Sequence, residues 1–218
     1  MDLTDFRALL IDCDDVLVDR DSSVWTALQP LVQSLSRGLD RDEVLAEYHE
    51  AVRSLQPRYD ELGFSGLLCF AYRRMAERLG VEASWEEGMR FARSAASWVL
   101  FEDAPGAMLY LRKFYRLLVC VDRDMEDREQ LCERLGISFE DLLPRSNSAL
   151  ENRAWLRANG LEPNDVLHIC RPPAESLGVG AVCLIYRDGI QRETGCPAAF
   201  CISSMANLVA KHQMFLRR

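Results

Sequence analysis

The sequence predicts an α/β protein: a doubly wound parallel sheet into which an α-helical domain is inserted. Three observations lead there. Short β-rich apolar runs alternate with longer helical patterns through much of the chain, as parallel strands joined by helices do. The runs are almost continuously apolar, which suits strands covered on both faces. The stretch between the first and second runs holds no convincing strand and is too long for one crossover helix.

The strands are read in order as FRALLI (6–11), YRLLVCV (115–121), DVLHIC (165–170) and AVCLIY (181–186), with AFCIS (199–203) a weaker fifth. Between the first two lie SVWTALQPLVQSL, RDEVLAEYHEAVRSL, SGLLCFAYRRMAERLG and SWEEGMRFARSAASWVL, each apolar at three- and four-residue intervals. They predict four helices forming a bundle over 21–100, with the core built from 1–20 and 101–218. Ser84 and Glu87 match a capping box. Gly63, Gly66 and Gly80 mark the expected turns of the bundle. Pro105, in EDAPG, suits the first turn of the helix that returns to the core.

A length of 218 residues and a hydrophobic content of 49% allow one large domain, or a core carrying a smaller insertion. The net charge of −8, spread without long blocks, argues against nucleic-acid binding, which needs a basic face. No apolar run reaches 18 residues and no leader pattern opens the chain, so no membrane partner is expected and the cytoplasm is the default location. The eight cysteines form no CxxC pair or zinc-spaced cluster and read as core. Lys113 and Lys211 are the chain's only lysines, which leaves any lysine chemistry between them without a candidate.

In a doubly wound sheet, ligands bind beyond the carboxyl ends of the strands. Asp12, Asp14, Asp15, Asp122, Arg123, Asp124, Cys170 and Arg171 all fall just after a strand. Three aspartates within four residues repel one another, and such crowding calls for a cation or a function. His168 lies within the VLHI run and reads as a packed or hydrogen-bonded core residue. His49 and His212 read as surface. Trp25, Tyr59, Phe64, Tyr72, Trp85, Phe91 and Trp98 read mostly as bundle core. Arg20, Arg58, Arg73 and Arg74 are ordinary on exposed helix faces, and GVGAV (178–182) lacks the spacing of a nucleotide loop.

LIDCDDVLVD resembles the first motif of the haloacid dehalogenase-like (HAD) superfamily, an apolar strand ending in DxDx followed by Val or Thr. The resemblance continues through EDAPGAMLYLRKFYRLLVCVDRD, ENRAWLRANGLEPNDVLHICRPP and AVCLIYRDG, and the helical insertion is similar to the cap of the dehalogenase and phosphoglycolate-phosphatase branches. It implies that Asp12 is the nucleophile and Asp14 the acid/base partner. Asp14 favours a phosphatase lineage, because dehalogenases usually carry an aromatic there. Asp15 stands where Gly is common.

The later motifs depart from the family. A hydroxyl is expected where Val121 stands. The expected lysine falls near Ser146, so Arg145, or less well Arg153, would deputise. Asp122 and Arg123 follow the motif-two strand as substrate-binding candidates. The fourth motif expects Gly-Asp and a later carboxylate, where this chain has Cys170, Arg171 and Glu175. If Mg²⁺ binds, the resemblance implies Asp12, Asp14 and Glu175 as its ligands. Arg171 brings a positive charge to the metal position, so the site is expected to work without the ion, with Arg171 pairing Asp12 or Asp14. These departures predict a degenerate phosphatase-type member with weak or no phosphomonoesterase activity, taking a small anionic ligand or a protein partner. The alternatives are an active phosphatase using a phospho-Asp12 intermediate and a metal-independent, dehalogenase-like hydrolase. Oligomeric state is left open.

Overall fold

The computed structural model describes residues 2–35, 38–145, 148–173, 177–187 and 198–217. In chain order, β1 (Ala8–Asp12) is followed by α1 (Arg20–Gln33), α2 (Arg41–Leu55), α3 (Tyr59–Arg78), α4 (Trp85–Arg93) and α5 (Ala104–Leu111). Then come β2 (Arg116–Val121), α6 (Met125–Leu135), β3 (Leu142–Pro144), α7 (Ala149–Ala158), β4 (Val166–Cys170), β5 (Ala181–Ile185), β6 (Phe200–Ile202) and α8 (Met205–Leu216). The chain forms two compact units, Met1–Val18 with Leu100–Asp122 and Cys132–Arg218, and Asp19–Val99 with Arg123–Leu131.

The first unit is built on a six-stranded sheet of order β3-β2-β1-β4-β5-β6, parallel throughout. Every residue of β1 and β4 is buried, so both faces of the central strands are covered, as their unbroken apolar runs require. On one face Leu10, Leu118, Cys120 and Val166 pack with Leu156 of α7. The five expected strands all form. The sixth, β3, was not foreseen: it is three residues long and ends in Pro144, which an edge position tolerates because the missing N–H faces no neighbour.

The second unit is helical. Asp19, Asp40 and Ser84 cap α1, α2 and α4, each accepting a backbone N–H of the first turn. Ser84 and Glu87 complete the expected box. Gly63 (φ 65°, ψ −177°) breaks α3 near its start, a conformation open to glycine and costly for other residues. Gly66, by contrast, is helical rather than a turn. The fourth predicted helix stops at Arg93 and passes into a 3₁₀ turn over Ser94–Ser97, because its serines compete for backbone groups: Ser94 and Ser97 hydroxyls donate to Phe91 and Ser94 carbonyls. Phe64, Tyr72, Phe91 and Trp98 are buried as bundle core, whereas Trp85 is exposed.

Candidate functional site

Asp12 closes β1 at its carboxyl end and is buried (5% exposed). The chain then turns tightly: the N–H groups of Leu17 and Val18 both donate to the Cys13 carbonyl, and Asp15 N–H donates to the Val18 carbonyl. Among the described residues Asp15 is the single non-glycine at positive φ, 66°. That is the physical reason glycine suits this position; aspartate is among the few side chains that tolerate left-handed backbone.

Both oxygens of the Asp12 carboxylate are engaged within this unit. Oδ1 lies 2.8 Å from His168 Nε2, and Oδ2 accepts from Arg145 Nη1 at 3.4 Å. The sheet register explains the first contact. His168 sits beside Leu10, which places its side chain on the face shared by Leu10 and Asp12, one pleat from the carboxylate. His168 is 1% exposed, and its Nδ1 has no hydrogen-bond partner among the described residues. A buried N–H without an acceptor costs more than a bare ring nitrogen, so the tautomer with hydrogen on Nε2, donating to Asp12, is favoured. Arg145 follows β3 directly, and its N–H extends the ladder to the Val121 carbonyl. The other arginine considered, Arg153, donates to the Gly178 carbonyl.

The expectation that Arg171 pairs with Asp12 or Asp14 is corrected. Its guanidinium lies 3.3 Å from Asp15, while Asp12 takes His168 and Arg145. The left-handed turn at residue 15 carries that carboxylate towards the end of β4. His168 is a hydrogen-bonded core residue as read, but sequence did not show that its partner is Asp12. Aligning the ends of β1 and β4 would have revealed it. His212, read as surface, is 2% exposed among Tyr110, Phe114 and Tyr115, and its Nδ1 lies 3.1 Å from the Tyr110 hydroxyl.

Val121 is buried and apolar where the resemblance implies a hydroxyl. Asp122 is half-buried at the end of β2. Arg123 belongs to the helical unit, where its buried guanidinium lies 4.3 Å from the Phe64 ring centroid and 4.9 Å from that of Trp98. Glu175 lies outside the described residues, as does Ser146. Burial pushes the Cys120 thiol far above its usual range and the neighbouring Asp12 charge adds to the shift, so it is no thiolate nucleophile.

Sequence reasoning also missed a cluster that fixes the loop after β1. Arg187 donates to Asp103 Oδ1 at 3.0 Å and to the Val16 carbonyl, and its guanidinium stacks 3.6 Å from the Phe101 ring centroid. Asp103 also accepts from Ala206 N–H at the start of α8.

Of the three carboxylates that the resemblance implies as Mg²⁺ ligands, Asp12 and Asp14 lie among the described residues and Glu175 does not. Among the described residues no three carboxylates, imidazoles or thiols come together to hold a cation. A guanidinium stands on Asp12 and another on Asp15, where a hard ion would need unshared oxygens. Among the same residues no helix is long and apolar enough to cross a membrane.

A parallel sheet of this order, with an aspartate-rich turn after its first strand and a helical unit following that turn, is the fold of the haloacid dehalogenase-like proteins. Known structures specify the likeness. The L-2-haloacid dehalogenase PA0810 is 18% identical, with a TM-score of 0.73 over 98% of this chain and 100% of its own. The L-2-haloacid dehalogenase of Xanthobacter autotrophicus is 15% identical, with a TM-score of 0.71 over 96% and 99%. YfnB of Bacillus subtilis, described as a HAD-hydrolase and bound to magnesium, is 15% identical, with a TM-score of 0.64 over 95% and 98%. At these identities the likeness is one of fold. No family model matches the sequence and no curated protein matches it.

Proposed function

We propose that this protein is a degenerate HAD-fold member of phosphatase-type lineage with weak or no phosphomonoesterase activity, whose site binds a small anionic ligand or a protein partner. The observation that carries the reading is the state of Asp12: a donor from His168 meets one oxygen and Arg145 meets the other. A carboxylate attacking phosphorus must present a lone pair to it. Each Asp12 oxygen keeps a second acceptor site, but the two donors draw on its charge and hold its direction, which weakens it as a nucleophile. Val121 supplies no hydroxyl to the phosphoryl oxygens, and no lysine lies between Lys113 and Lys211. Each such electrostatic contact is worth about 2.7–4 kcal/mol when removed from a preorganised site.

The test is hydrolysis of 4-nitrophenyl phosphate with added Mg²⁺, comparing the native protein with Asp12→Asn. At most a small excess over Asp12→Asn is expected, and efficient Mg²⁺-dependent turnover that is lost in Asp12→Asn would overturn the reading. The metal-independent alternative draws support from Arg145 beside Asp12, which places a cation at the nucleophile without an ion, and from dehalogenases sharing the fold. Halide release from 2-chloropropionate by the native protein, absent in Asp12→Asn, would select it.

A further inference from the structure

We infer that Asn152 of α7 positions the Asp12 carboxylate through His168, and that a single buried water joins the Asn152 amide to the imidazole. This starts from the same Asp12–His168 contact as the proposed function and holds whether or not the site turns over substrate.

Two buried acceptors of the first unit have no hydrogen-bond partner among the described residues: His168 Nδ1 and Asn152 Oδ1. Asn152 is 2% exposed, as shut off from solvent as His168. Its orientation is fixed, because Nδ2 donates to the Leu177 carbonyl at 3.3 Å and a flipped amide would set two carbonyl oxygens against each other. A buried polar atom without a partner is costly, and an aliphatic side chain of similar size would avoid that cost, so asparagine here calls for a further bond.

Helix and sheet place the two atoms at one level. α7 leaves β3 and feeds β4, and these strands are parallel, so the helix runs from the carboxyl ends of the strands back towards their amino ends. Leu156 packs in one cluster with Leu10 and Val166. Asn152 stands one turn earlier, about 6 Å nearer the carboxyl ends. Two residues along a strand advance about 6.6 Å on the same face, which carries Val166 to His168 and Leu10 to Asp12. Asn152 therefore stands over His168 and Asp12 as Leu156 stands over Val166 and Leu10. Leu177, which holds the Asn152 amide, belongs to the same cluster.

With hydrogen on Nε2, both open atoms are acceptors and cannot bond each other. A water brings two donors, one for each, within the roughly two to four hydrogen bonds that buried waters make. The ring is then held at both nitrogens, and its Nε2–H stays aimed at Asp12 Oδ1. Immobilising the water offsets part of what its bonds return, so Nδ1 remains a liability that leucine at 168 would not carry.

A crystal structure that shows ordered solvent should place one water within about 3.2 Å of both atoms. Solution NMR of protein carrying ¹⁵N-labelled histidine supplies a readout that packing alone would not move. The native Nδ1 resonance should be that of a hydrogen-bonded acceptor. Asn152→Leu fills the space with an apolar group; it should shift that resonance to the position of an unbonded nitrogen. Exchange of the Nε2–H with solvent should quicken about tenfold, as the loss of one hydrogen bond's net contribution implies. Asn152→Ser keeps an acceptor and room for water, and should hold the resonance near its native position. If Asn152 merely filled space, leucine would protect the ring as well as asparagine does, and serine would not.

An Nδ1 resonance unmoved by Asn152→Leu, or a protein atom bonded to Nδ1 in the crystal, would overturn the inference. If Asn152→Leu fails to fold, the crystal structure and Asn152→Ser decide: no water touching both atoms, or a resonance displaced in the serine variant, refutes it. The two proposals fail separately. Efficient turnover would defeat the functional reading and leave the Nδ1 resonance where it is, whereas an unmoved resonance would defeat this inference and leave the phosphatase assay untouched.

Discussion

Replacing His168 with leucine tests the contact on which the site depends. The imidazole is 1% exposed and Asp12 is 5% exposed, so the carboxylate oxygen abandoned by the substitution meets little solvent. An unsatisfied buried acceptor carrying charge costs about 3 kcal/mol. Leucine recovers some of this, because the native ring also buries a bare Nδ1, a liability of about 1 kcal/mol. The net loss should be about 2 kcal/mol. A double-mutant cycle separates the pair from simple packing. In the His168→Leu background, Asp12→Asn removes a charge that has already lost its donor, so it should be less harmful than in native protein. The coupling should be about 1.5 kcal/mol, well beyond the roughly 0.5 kcal/mol within which independent sites add. Urea unfolding followed by circular dichroism gives all four stabilities. Additivity within that margin, or a His168→Leu cost below it, would mean that the imidazole merely fills space.

Three other outcomes follow from the packing. Burial holds the His212 imidazole below its ordinary value of 6.5, so the unfolded chain binds the proton more tightly. The stability this supplies is complete above the ordinary value and is lost as pH falls below it, towards the depressed folded value. Urea midpoints at pH 7.5 and 5 should therefore converge in His212→Phe relative to native protein, and an unchanged difference would refute the assignment. At Gly178 (φ 78°) a Cβ would meet the Ala149 carbonyl oxygen at 2.5 Å, whereas at Gly160 (φ 73°) it would meet nothing within 4 Å. Gly160→Ala should cost about 1 kcal/mol and Gly178→Ala roughly 3 kcal/mol, compared by denaturant midpoint. Arg187→Leu strips Asp103 of its cation and Val16 of a donor; a loss of about 2 kcal/mol should lower the melting temperature by about 4–8 °C.

The fold was legible because its determinants are local and repeated. FRALLI, YRLLVCV, DVLHIC and AVCLIY could hardly be anything but covered strands, and Ser84–Glu87 announced the start of α4 from four residues. β3 escaped because three apolar residues ending in proline carry no period, and their pairing with Val119–Val121 comes from the sheet alone. Two errors share a cause. Gly66 was read as a turn because composition was weighed without packing, and His212 was called surface because a polar residue in an amphipathic helix is usually exposed. The aromatic ring cluster around it is contributed by distant positions 110, 114 and 115.

The site divides in the same way. From the sequence alone came the aspartates at the end of the first strand, and the family resemblance added which positions depart from its motifs, Val121, Arg145 and Arg171, since both rest on residue identity at strand ends. Which charge meets which was decided by three dimensions. The one-pleat offset between β1 and β4 gives Asp12 to His168, and left-handed backbone at residue 15 gives Arg171 to Asp15. Ion pairing falls off over a few ångströms, and neighbours separated by more than 150 positions in the chain acquire such distances only when the sheet aligns them.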